Sequence, residues 1–119
     1  MGFLIYHNPR WSKSRESVKI LKETNINYSL VEYIKNGIRR DKLTQICQIL
    51  DVRPIEIVRR SDTNYKELNI SGKNEQDDNY MINIIIQNPK ILQRPIIIKG
   101  QKGVIGRPPE KINELLWWG

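Results

Sequence analysis

The chain has 119 residues, 39% of them hydrophobic, with 20 Lys and Arg against 13 Asp and Glu and a formal net charge of +7. That length suits a single domain spanning residues 1–119 around one core and argues against a second domain. One cysteine excludes an intramolecular disulfide, and with one histidine beside it no dedicated zinc or iron–sulfur site is expected, so the metal set is empty.

In chain order, Phe3-Leu4-Ile5-Tyr6 is an unbroken apolar run, which suits a strand covered on both faces. Asn8-Pro9 signals a turn. Ser14 to Glu23 reads as a helix, with Val18 and Leu21 on one face and Lys19 and Lys22 turned outward, closed by Thr24-Asn25. Tyr28 to Ile34 carries the β-formers Tyr28, Leu30, Val31 and Tyr33 and reads as a second strand. Strand, helix, strand at this spacing is a βαβ unit with parallel strands and a right-handed crossover.

After the turn at Asn36-Gly37, Asp41 is placed to cap a helix whose apolar residues Leu43, Ile46, Cys47 and Leu50 follow the helical period. Pro54 opens a short helix with Ile55, Ile57 and Val58 that ends over residues 59–62. Residues 64–78 are polar and read as the loosest part of the chain. Asp77 or Asp78 caps a helix through Met81, Ile82, Ile84, Ile85 and Ile86, stopped by Asn88-Pro89. Ile96–Lys99 and Lys102–Ile105 read as a β-hairpin, with Gly100 and Gly103 around its turn. Gly106-Arg107-Pro108-Pro109 opens a last helix with Ile112, Leu115 and Leu116; Trp117-Trp118 is either a lid on the core or a patch for a partner.

The loop between the first strand and the first helix is the candidate site. Amides at a helix N-terminus point outward without partners and make a seat for an anion. Ser12 or Ser14 can accept from those amides, and Arg10, Lys13 and Arg15 surround the seat with positive charge. The net charge likewise favours anionic partners. The basic residues are scattered, with no stripe of interleaved aromatics, which speaks against nucleic acid. No stretch is long and apolar enough for a bilayer and no secretory pattern precedes Phe3, so no membrane association and a cytoplasmic location are expected.

The order βαβ, helices, ββ, helix is an α/β arrangement that resembles the thioredoxin fold: a small mixed four-stranded sheet flanked by helices, with a helical insertion between the βαβ unit and the hairpin. Local motifs narrow the resemblance to the glutaredoxin-like arsenate reductase family. They are Tyr6-His7-Asn8-Pro9, Ser12-x-Ser14-Arg15, Arg59 six residues before Tyr65-Lys66-Glu67-Leu68, Arg94-Pro95-Ile96 and Gly106-Arg107-Pro108-Pro109-Glu110. The resemblance implies an oxidoreductase in which a loop cysteine, in a Cys-x-x-x-Arg pattern, attacks arsenate as its thiolate. It also implies that glutathione is the co-substrate, with no cofactor held, and that glutaredoxin serves the second thiol step. By position, Arg59, Arg94 and Arg107 correspond to the arginines that hold the oxyanion, His7 to the histidine that favours the thiolate, and Pro95 to a cis-proline facing the thiol.

At the cysteine position this chain has Trp11. The indole N–H is a donor only and offers no soft nucleophile. Trp11 reads as a remnant at a site without catalytic demand, as a stacking platform, or as a one-base change of a Cys codon. Cys47 falls on the apolar stripe of a helix and reads as core packing. Ser12 reads as a helix cap and not as a nucleophile paired with His7. The expected function is that of an arsenate reductase homologue that retains its anion-binding arginines but lacks turnover. Its ligand would be arsenate, phosphate, sulfate or a glutathione-like molecule. The alternatives are a non-enzymatic regulatory protein of the same fold and, were residue 11 a cysteine, an active thiol oxidoreductase.

Overall fold

A computed structural model describes residues 2–8, 10, 12–23, 27–93 and 95–105, with the backbone alone for Lys13. The expected helix after Gly106, Trp117-Trp118 and the Thr24-Asn25 helix end lie outside the described residues. The chain divides into two compact units, one made of Met1–Asn36 with Arg94–Gly119 and the other of Gly37–Gln93. In sequence the second is an insertion into the first, where a helical insertion was expected.

The first unit is a mixed four-stranded sheet in the order β2-β1-β3-β4, with β1 at Phe3–Tyr6, β2 at Tyr28–Val31, β3 at Ile96–Lys99 and β4 at Lys102–Ile105. β1 pairs parallel with β2 and antiparallel with β3, and β3 pairs antiparallel with β4. This is the thioredoxin-like α/β fold expected from the order of elements. The parallel pair is bridged by α1 at Ser12–Glu23, as a βαβ crossover requires. Phe3, Ile5 and Ile97 project from one sheet face and form a core with Val18 and Leu21 of α1. Tyr6, Ile96 and Ile98 belong to the alternate register positions and are buried too, so the unbroken apolar runs of β1 and β3 reflect two covered faces. The β3–β4 turn is two residues long and has Gly100 at φ +62°, a conformation that disfavours any residue with a Cβ.

β2 is shorter than the run of β-formers suggests. It ends at Val31, and Tyr33–Asn36 form the one-turn helix α2, with the Lys35 and Asn36 amides bonded to Glu32 O. The reason is the length of the partner: β1 ends at Tyr6, and His7 N–H makes the last cross-strand bond, to Val31 O. Beyond that point Tyr33 buries its ring without a ladder. Ser29 and Leu30 are exposed, as suits a short edge strand.

The second unit is helical. α3 (Arg40–Leu50) packs with α6 (Asp78–Gln87), burying Leu43, Ile46 and Cys47 from one and Met81, Ile82 and Ile85 from the other. Asp41 is not the cap of α3. Arg39 occupies that position with extended backbone and no capping side chain, while Asp41 lies in the first turn and pairs with Arg39 at 3.2 Å. Asp51 ends the helix in the left-handed region at φ +55°, and the Val52 amide reaches back to Cys47 O. A 3₁₀ turn at Pro54–Ile57 leads to an antiparallel bridge, Val58 with Leu92, flanked by Arg59 N–H to Ile91 O at 2.7 Å and Gln93 N–H to Ile57 O at 2.8 Å.

The polar stretch before α6 is more ordered than its composition suggests. It holds two one-turn helices, α4 (Thr63–Lys66) and α5 (Gly72–Glu75), capped by the side chains of Asp62 and Ser71. Asp77 caps α6 by accepting from Tyr80 N–H at 3.1 Å. Arg53 ties this stretch to the 3₁₀ turn, bonding Asp78 Oδ1 through Nε and Nη2, and Gln76 through its side-chain and backbone oxygens. Among the described residues no helix is long and apolar enough to cross a membrane.

Candidate functional site

The loop that leaves β1 is braced by its own polar groups. Asn8 is buried; its N–H reaches Ser14 Oγ at 3.4 Å, and its Oδ1 accepts from Arg10 N–H at 3.1 Å. The loop therefore begins and ends on fixed points, with Ser14 on the buried side of the first turn of α1. α1 begins at Ser12, two residues earlier than its apolar pattern suggests, so Ser14 braces the loop instead of accepting from the helix amides. Ser12 and Arg15 are exposed at the head of α1, and the side chain of Lys13 is outside the described set.

His7 is 5% exposed, and its Nδ1 has no hydrogen-bond partner among the described residues. Burial lowers its pKa; Glu32 pulls it up and Arg15 pushes it down, with burial the stronger. The imidazole is therefore biased towards the neutral form. Pro95 is buried in the same unit. The last residue pair of the antiparallel ladder is Tyr6 with Ile96, so Pro95 immediately precedes β3 and His7 immediately follows β1.

Arg59 belongs to the helical unit. Its backbone is held by Ile91, and its Nη1 donates to Asp62 Oδ2 at 2.7 Å, with both side chains 16% exposed. Trp11, Arg94 and Arg107 lie outside the described residues. Within the first unit the structure thus brings Asn8 to Ser14 and sets Arg15 within electrostatic reach of His7, and it places Arg59 in the second unit with its amide bonded to Ile91 O.

Cys47 is buried in the helical unit, where burial first, then Asp78 and Glu56, push its thiol up to about 11. At pH 7 that leaves about one molecule in ten thousand as thiolate. Two contacts lie outside the sequence motifs. The Asp62 partner of Arg59 was signalled by its i,i+3 spacing and by its place before Thr63-Asn64. The bond from Tyr65 Oη to Glu75, which raises the Tyr65 pKa to about 12 together with the larger effect of burial, had no local signal. Among the described residues no group of three or more His, Cys, Asp or Glu could hold a metal ion.

A thioredoxin-like sheet with a braced loop entering α1 fits the ArsC class of protein. The model of the ArsC family matches residues 6–115, and the chain belongs to that family. It is 36% identical over 113 residues to the uncharacterized Escherichia coli protein YfgD, covering 94% of each chain. It is 32% identical over 117 residues to an arsenate reductase of Haemophilus influenzae, covering 98% of this chain and all of that one. The solved structure of an arsenate reductase from Vibrio cholerae superposes with a TM-score of 0.87 at 31% identity, over 96% of this chain and 97% of the other.

Proposed function

We propose that this protein binds a small tetrahedral oxyanion, or a glutathione-like ligand, in the manner of its arsenate reductase relatives, and does not turn it over. The observation that carries the reading is the absence of a usable thiol. Position 11 is Trp in the sequence, and the single cysteine, Cys47, is buried with a pKa of about 11. Arsenate reduction by the thiol route needs a polarizable nucleophile that bonds arsenic and is then released by a second thiol. Losing a covalent nucleophile removes that route instead of slowing it.

The anion-binding half of the reading rests on arginine chemistry and on the loop. Guanidinium groups recognise tetrahedral oxyanions through paired N–H donors, and Arg59, Arg94 and Arg107 are the residues assigned that task. Ser12, Lys13, Ser14 and Arg15 supply the head of α1. The Nδ1 of His7, which has no partner among the described residues, supports a ligand-facing loop, because a buried polar atom without a partner costs about 1–3 kcal/mol. In this proposal Trp11 replaces the nucleophile, Pro95 is the cis-proline of the loop mouth, and the protein works in the cytoplasm, where glutathione and glutaredoxin are available.

The test is arsenate reduction with glutathione and glutaredoxin supplied, run on the natural chain and on Trp11→Cys. The natural chain should show only the rate of the protein-free mixture, and Trp11→Cys should gain protein-dependent turnover. Turnover by the chain with Trp11 in place overturns the reading.

A further inference from the structure

The Arg59–Asp62 pair bears on what an anion meets when it arrives. Asp62 cannot easily yield its guanidinium partner. While Oδ2 accepts from Arg59 Nη1 at 2.7 Å, Oδ1 accepts from the Asn64 backbone N–H at 2.8 Å and from Asn64 Nδ2 at 2.9 Å. Swinging the carboxylate away would uncap α4. Arg59 is equally fixed, since its amide is bonded to Ile91 O beside the Val58–Leu92 bridge. Both side chains are 16% exposed, so solvent screens their charges far less than it would at the surface.

We propose that Asp62 is a specificity-determining residue of the anion site, acting on the charge state of the ligand; this rests on the reading that Arg59 faces an oxyanion. Sulfate, phosphate, arsenate and perchlorate share a tetrahedral shape, so geometry separates them poorly. A fixed negative charge behind the recognising guanidinium does separate them by charge. Its repulsion scales with the product of charges and is twice as large for a dianion as for a monoanion. Asp62 therefore weakens dianion binding more than monoanion binding, and it sorts the singly and doubly charged forms of phosphate and arsenate. It also keeps the bound anion exchangeable.

Calorimetric titration of the natural chain, Asp62→Asn and Arg59→Gln with sulfate and with perchlorate, at constant ionic strength, tests this. Asparagine keeps a side-chain oxygen to cap α4, and Asp62→Ser serves as a second capping-competent variant should Asp62→Asn unfold. In Asp62→Asn, sulfate association should strengthen about tenfold and perchlorate association about threefold, the ratio expected of a charge effect. A merely structural role for Asp62 would weaken both anions together. Weaker or unchanged binding, or equal gains for the two anions, overturns the inference while leaving the anion site standing. Failure of the natural chain to bind sulfate, or sulfate binding that Arg59→Gln leaves intact, overturns the anion-site reading and this inference with it.

Discussion

At the scale of single residues, His7 is a titratable group taken largely out of water. It is the only histidine in the chain, and its imidazole is buried and biased towards the neutral form. The unfolded chain takes up a proton near pH 6.5, and the native state does so only at lower pH. Between those values the unfolded state holds more protons, so stability rises with pH there and is lost as pH falls from about 6.5. Urea midpoints measured from pH 7.5 down to pH 5 should fall, and His7→Gln should flatten that part of the profile. An unchanged slope in the variant would assign the effect to carboxylates. Cys47 lies at the opposite extreme: its place on an apolar helix stripe was legible in the sequence, and burial then removes it as a substitute nucleophile. The Arg59–Asp62 contact was less legible, because an i,i+3 spacing outside a long helix becomes a contact only once the backbone on both sides is placed.

At the scale of elements, α6 allows two effects to be ranked. Met81 is fully buried between α6 and its neighbours, whereas Asp77 caps the helix from an exposed position. Met81→Ala should cost about 2–5 kcal/mol, because a cavity adds to the lost transfer energy. Asp77→Ala should cost about 1 kcal/mol, the usual value of a cap. Chemical denaturation of both variants checks the order; an equal or reversed cost would mean that α6 is held by its end more than by its buried face. The sequence signals for α6 and for the hairpin were local, in capping residues, glycines and apolar period, and the structure follows them closely. β2 is shorter than its run of β-formers because strand length depends on the partner: β1 supplies no ladder beyond Tyr6. The one-turn helices α4 and α5 had no apolar period to reveal them and rest on single caps.

At the scale of the whole molecule, the formal charge of +7 gives any anion a long-range attraction to the chain. The reach of that attraction is about 30 Å at 0.01 M salt and about 8 Å at 0.15 M. Sulfate affinity should therefore fall several-fold between those ionic strengths, while the loss caused by Arg59→Gln persists at both, because a contact to a partly buried guanidinium is screened less. Isothermal titration at the two salts separates the components, and a salt-independent affinity would remove the long-range one. The sequence alone determined the class of fold, since unbroken apolar runs, helical periods and turn residues admit few arrangements, and it determined that position 11 is Trp, where the resemblance to the arsenate reductase family implies a cysteine. Only the tertiary structure decided that Ser14 braces the Asn8 loop, that Arg59 is tied to Asp62, and that His7 is buried without a partner for Nδ1 among the described residues. The reason is physical: periodicity and caps act within a few residues, whereas burial and charge pairing depend on which distant segments the folded backbone brings to the same place.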